Sequence, residues 1–161
     1  IRVQMGQPVF GGQAVGFSRD ANLDAVTGEV PDLVEIGLVS LGNPHLILLL
    51  TQPASAKTVA HYGRLISDQQ AFAQGINVSF ASVAANGPVL LRVHERGVGP
   101  TLACGSGACA AAAYLIRSGR VQSPVQVDQP GGRLVIDWRA ESEPLFMTGP
   151  ARRVFDGTLA E

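Results

Sequence analysis

Cysteine is nearly absent from these 161 residues, which hold only Cys104 and Cys109. Two cysteines do not make a disulfide scaffold at this length. Lysine occurs once, at Lys57, and the 12 basic and 13 acidic side chains leave a net charge of −1. That excludes the basic excess that nucleic acid or an anionic membrane surface selects, so neither partner is expected. Long apolar runs are missing too: Leu46 to Leu50 is far too short to cross a bilayer. The N-terminus lacks the basic and then apolar segments of a signal peptide, since Ile1 opens an alternating stretch. A cytoplasmic protein is the resulting expectation, and the missing initiator Met suggests that Ile1 follows a deletion or a cleavage. Charged residues are only 16% and hydrophobic residues 46%, which fits one globular domain over 1–161 with a core of its own.

What is present is mostly strand. Ile1 to Met5 and Leu33 to Leu41 alternate, and His45 to Thr51 is an apolar run after the Gly42-Asn43-Pro44 turn. Ile76 to Val83 and Val89 to His94 alternate around Asn86-Gly87, a hairpin dipeptide. Val121 to Asp128 and Leu134 to Trp138 flank Pro130-Gly131-Gly132, and Leu145 to Thr148 and Arg152 to Phe155 read as final strands. Two helices interrupt them. Ser55 to Ile66 has a serine cap and an apolar face of Val59, Tyr62 and Ile66. The second helix, from about Cys104 to Arg117, is alanine-rich with no polar face in its first half, and such a helix is normally buried. The expected fold is therefore α+β: a strand-rich, curled sheet wrapped around a central helix.

The stretch His94-Glu95-Arg96-Gly97 to Cys104-Gly105-Ser106-Gly107 places an acid and a base at a strand end, then a glycine-rich turn, then a cysteine at a helix start. Unpaired N–H groups and partial positive charge at a helix start favour a thiolate and so are expected to lower the Cys104 pKa. The Gly105 and Ser106 N–H groups could hold a carboxylate. A thiol beside a bound carboxylate suits proton transfer at the adjoining carbon, although burial as a small hydrophobe is equally open for Cys104. Cys109 lies about 140° around the helix from Cys104, at ~100° per residue, and reads as core. His45 gains interest only if it meets Cys104 in space, while His61 and His94 read as structural or exposed. Glu95 and Arg96, adjacent in an extended segment, should point to opposite faces. Asn77 is either a turn residue or a ligand contact.

Taken together, Gly42-Asn43-Pro44-His45, Gly75-Ile76-Asn77-Val78-Ser79-Phe80, Glu95-Arg96-Gly97, the run from Ala103 to Ala110 and Met147-Thr148-Gly149-Pro150-Ala151 resemble the diaminopimelate epimerase family. The resemblance implies half-barrels of mixed sheet around a helix, this chain being the second of two such halves. It implies conversion of LL-diaminopimelate to the meso form by two cysteines acting as acid and base, one from each half, with no pyridoxal phosphate or metal. Cys104 would be the second-half cysteine, and His45 and Glu95 would assist its proton relay. Asn43, Asn77 and Arg96 would hold the distal end of the substrate, and Gly105 and Ser106 its reacting carboxylate. The full-length family members are typically homodimers. Two departures stand out. Pro100 occupies a position where the family commonly has an acid, which removes one N–H and stiffens the turn. The first-half cysteine motif is absent, so the chain should hold only part of an active site and be inactive by itself.

Other readings stay open on the residues. Cys104 could be the nucleophile of a cysteine hydrolase or acyltransferase, with His45 as base and Asn43 or Glu95 as orienter. The chain could also be a non-catalytic ligand-binding half-domain. A proline or hydroxyproline racemase is opposed by the polar pocket of Asn and Arg. Lys57, on a surface helix without a phosphate motif, is a poor partner for pyridoxal phosphate.

Overall fold

The computed structural model describes residues 1–84 and 87–158. The strands are β1 Arg2–Gly6, β2 Val9–Phe10, β3 Leu33–Ser40, β4 Pro44–Leu50, β5 Asn77–Val83, β6 Val89–Glu95, β7 Gly99–Thr101, β8 Val125–Gln129, β9 Gly132–Asp137 and β10 Leu145–Thr148. Three α-helices accompany them: α1 Leu23–Thr27, α2 Ala56–Ser67 and α3 Gly105–Arg117. The strands form one sheet in the order β1-β10-β9-β8-β6-β5-β4-β3-β2, with β7 attached to β6. Two neighbouring pairs are parallel, β4 with β5 and β6 with β8, and the other pairs are antiparallel. Parallel neighbours need a crossover, and the two crossovers carry α2 and α3. This is the mixed-sheet half-barrel around a central helix that the sequence leads one to expect.

Strand β4 is covered on both faces. Its side chains alternate, with Ile47 and Leu49 in the core around α3 and Leu46, Leu48 and Leu50 in a second core with α2. A continuous apolar run is what a strand buried on both faces requires. On the inner face α3 touches β3, β4, β5, β6, β8, β9 and β10. Ala108 to Ala113 are all fully buried, and their small side chains let strands close in from every side. Tyr114 marks the end of that close approach. Its ring lies where a side chain on Gly37 would be, and its hydroxyl donates to the Ile36 carbonyl at 3.0 Å.

Several local expectations need correction. Arg152 to Phe155 forms no strand: both edges of β10 are taken by β1 and β9, and this segment runs exposed beyond Pro150. The strand expected from Val121 starts at Val125, after Pro124. The expected turn at Asn86-Gly87 falls partly outside the described residues, although β5 and β6 do pair as antiparallel neighbours. Helix α1 was not anticipated. Its signal is Asn22, whose side chain accepts from the Asp24 and Ala25 N–H groups. Pro100 does not prevent pairing, since it stands opposite His94 in β7. Among the described residues no helix is long and apolar enough to cross a membrane.

Candidate active site

Topology brings four distant segments to one end of the sheet. Strands β4 and β5 are parallel, so both begin there, and antiparallel β6 ends there. Helix α3 starts at the same end. Phase then decides which side chains meet. His45 shares the phase of Ile47 and Leu49, Asn77 that of Ala81, and Glu95 that of Leu91 and Val93, all members of the core around α3. Arg96, one residue on, already lies in the turn after β6, and its side chain runs toward Gln74 and Gly75. His94 turns to the other face, where it lies against Gly63 of α2.

Cys104 is the N-cap residue of α3, in extended conformation with φ −137° and ψ 109°. Its thiol donates to Glu95 Oε2 at 3.3 Å and lies 3.7 Å from Ser106 Oγ. Ser106 Oγ accepts from Asn43 Nδ2 at 3.1 Å, and Asn43 Oδ1 is 3.2 Å from His45 Nε2. One hydrogen-bonded chain thus runs His45–Asn43–Ser106–Cys104–Glu95. Sequence reasoning foresaw these members but not their order, and His45 reaches the thiol only through Asn43 and Ser106.

The electrostatics correct one expectation. The Cys104 pKa is raised, not lowered. Burial is the largest cause. The Gly107 N–H, close but not in capping geometry, and the Ser106 hydroxyl pull it down, while the Glu95 carboxylate pushes it up again. Cys104 is 5% exposed, and desolvation of a thiolate there outweighs the helix start. His45, fully buried, has its pKa lowered to about 4, chiefly by desolvation, with Glu95 opposing and Arg96 reinforcing the shift. It is therefore neutral near pH 7, and its Nε2–H donates to Asn43 Oδ1. Cys109 is fully buried and its pKa is pushed up to about 12, again first by desolvation, which fits the core role.

Asn77 and Arg96 face each other through the backbone. Asn77 Oδ1 accepts the Arg96 N–H at 2.9 Å, and its Nδ2 donates to the Pro44 carbonyl at 3.1 Å. The Arg96 guanidinium donates to the Gln74 carbonyl at 2.5 Å. Its stem packs against Gly75, which adopts φ +67°. Asn77 therefore stitches β4 to the end of β6, with part of its hydrogen-bonding capacity engaged inside the chain. Gly105 sits against Met147 of β10, and the first helical N–H groups lack partners within the helix. Sequence reasoning missed Gln129, whose Oε1 accepts the Cys104 N–H at 2.8 Å. A signal was present: Val125, Val127 and Gln129 are the buried positions of β8, so the alternation places a carboxamide where an apolar residue is expected.

Two large apolar side chains near these segments in sequence are exposed. Val98, in the turn after Glu95, and Leu102, two residues before Cys104, are 76% and 72% exposed. A hollow of about 440 Å³ lies at the opposite end of α3, beside Tyr114 and Arg117. Among the described residues no three His, Cys, Asp or Glu side chains gather closely enough to hold a metal ion.

Comparison with known proteins bears on the family and the fold. The family model for diaminopimelate epimerase matches residues 37–154. A diaminopimelate epimerase from Thioalkalivibrio sulfidiphilus is 44% identical over 165 residues, covering 99% of this chain. The chain spans 58% of that relative's length. Among solved structures, a probable proline racemase from Agrobacterium radiobacter is similar with a TM-score of 0.59 at 14% identity, over 96% of this chain and 53% of that one. A phenazine biosynthesis protein of the PhzF family from Bacillus anthracis gives 0.55 at 13% identity, over 91% and 55%. Likeness at that identity concerns the fold alone. On the first two matches, the chain belongs to the diaminopimelate epimerase family.

Proposed function

We propose that this member of the diaminopimelate epimerase family supplies one of two proton-transferring thiols for interconverting LL- and meso-diaminopimelate without a cofactor, as the second half of a two-domain, homodimeric enzyme. The observation that carries the reading is the Cys104 thiol at the start of α3, donating to Glu95 at 3.3 Å. A carbon acid next to a carboxylate is very weakly acidic, so donors must stand ready where charge develops. The Gly105 and Ser106 N–H groups at the helix start suit the α-carboxylate.

Cys104 rests as a thiol, its pKa raised, and in that state it can deliver a proton to one face of the carbon. In the reverse direction Glu95 takes the thiol proton, the thiolate removes the α-proton, and the C–H electron pair stays on carbon until a second acid on the opposite face donates. His45 stays neutral and holds Asn43, which in turn holds Ser106 beside the thiol. Asn43, Asn77 and Arg96 are the residues that the family resemblance assigns to the distal amino-acid group. Val98 and Leu102, both largely exposed, suit packing against another polypeptide surface.

A cysteine hydrolase would need a basic histidine at the thiol. His45 bonds instead to Asn43, and a pKa of about 4 makes it a weak base. The test uses the full-length protein with LL-diaminopimelate in deuterium oxide. Cys104→Ala should lower the rate of meso-diaminopimelate formation by at least about 10²-fold, the lower end for losing a general acid or base, whereas α-hydrogen exchange on the face served by the other thiol can persist. Cys109→Ala should keep most of the epimerisation. Inversion that survives Cys104→Ala would overturn the assignment, and a thioester trapped with an ester substrate would favour the hydrolase.

A further inference from the structure

We infer that Gln129 is a positioning residue for the Cys104 thiol, with the tip of the β8–β9 hairpin clamping the segment that leads into α3. Gln129 is 8% exposed, in the inward phase of β8. Its Oε1 accepts the Cys104 N–H at 2.8 Å, while its Nε2 is buried with no partner among the described residues. Reversing the carboxamide would set two donors against each other, so the oxygen must face the cysteine. A buried amide nitrogen without a partner is costly, and an apolar side chain would avoid that cost. The oxygen is therefore the part of this side chain that the site uses.

A second contact comes from the same hairpin tip. The Gly131 N–H donates to the Leu102 carbonyl at 2.7 Å. A Cβ on Gly131 would stand 3.0 Å from that oxygen and 3.1 Å from Ala103 Cβ, so the close approach favours glycine. Residues 102 and 104 are thus held from one turn, on either side of Ala103. Such a clamp is needed because cysteine is a weak N-cap and its side chain accepts no capping hydrogen bond here. With the extended backbone of Cys104 fixed, the thiol is aimed at Glu95 and Ser106 rather than at solvent.

The inference rests on the proposed function only in calling that aim useful, and its readouts need no turnover. The chain is compared with its Gln129→Met variant by hydrogen exchange of the Cys104 amide and by iodoacetamide alkylation located by peptide mass. Both should accelerate about fivefold or more, the lower end for stranding a buried donor. The Ala108 amide, bonded to the Cys104 carbonyl, should remain protected and so separate a local release from unfolding. Cys104 exchange and alkylation within about twofold of the parent would overturn the inference. Should the methionine variant not fold, Gln129→Glu decides. It keeps an acceptor oxygen, so the Cys104 amide should stay protected, while its added negative charge should move alkylation to higher pH. An unchanged alkylation pH profile in that variant would place Gln129 away from the thiol and overturn the inference as well. Loss of epimerisation in Cys104→Ala is a separate result, so the two readings fail separately.

Discussion

At Cys104 burial and helix polarity pull in opposite directions, and burial wins. A helix-start cysteine can be recognised in sequence, but how far it is desolvated depends on strands dozens of residues away. Glu95 adds to the upward shift. Glu95→Gln should therefore lower the thiol pKa, and Cys104 should be alkylated faster at any fixed pH below it. Slower alkylation in that variant would mean that the carboxylate assists the thiolate instead of opposing it. His45 makes a different claim, about stability. Unfolded, it gains a proton as pH falls through about 6.5, whereas folded it does so only near 4. Between those values the unfolded state binds more protons, so stability is fully present above pH 6.5 and is lost as pH falls toward 4. At about 1.36 kcal/mol per pKa unit the loss from this residue is ~2–3 kcal/mol by pH 4.5. Urea unfolding at pH 7 and pH 4.5 should show His45→Gln losing less stability over that interval than the parent chain, by roughly that amount; equal losses would place the histidine in water. Neither value was readable from sequence, because a lone histidine after a turn looks the same whether buried or exposed.

Elements were more legible than residue environments, for reasons visible in the elements themselves. The apolar run of β4 and the alanine-rich flank of α3 each carry a one-dimensional signal of burial, and the expected bounds of both elements match the folded ones to within about a residue, the usual uncertainty. The serine cap of α2 is equally local, since Ser55 accepts the Thr58 N–H at 3.1 Å. Short elements held by their neighbours gave no such signal: β2 has two residues and β7 three. Close approaches between elements are also silent in sequence, and Gly63 is one of them. Its position on α2 reads as a mild helix weakness that alanine would repair by up to about 1 kcal/mol. In the fold, a Cβ there would stand 2.4 Å from His94 Cβ on β6. Overpacking of that kind costs about 1–3 kcal/mol. Gly63→Ala should therefore be neutral to destabilising by denaturant unfolding despite its better propensity. A clear gain in stability would mean that α2 can shift away from β6.

For the whole molecule the main question is whether one thiol is enough. The chain holds two cysteines, both on or at the start of α3. Cys109 is fully buried among alanines with its pKa pushed up to about 12, so it can neither reach a substrate nor exchange a proton near neutral pH. Inversion at carbon needs an acid and a base on opposite faces, and Cys104 with Glu95 can serve only one of them. The fold does not need that second thiol, since the core around α3 draws on strands from β3 to β10 and a second core packs β3, β4 and β5 on their other face. Folding competence and catalytic competence should therefore separate. The 161-residue chain should show a cooperative unfolding transition and bury its α3 amides, yet produce no meso-diaminopimelate from the LL form. Adding a first-half polypeptide that carries the family's other cysteine should restore turnover if the two dock through the exposed Val98 and Leu102. Changing those two side chains to serine in the mixture should weaken docking, and more polypeptide should then be needed for the same rate, while the activity reached at saturation stays in place. The check is a coupled assay for meso-diaminopimelate on the chain alone, then across a titration of the added half. Turnover by the chain alone, with host enzyme excluded, would show that one thiol with its carboxylate suffices and would overturn the two-sided account.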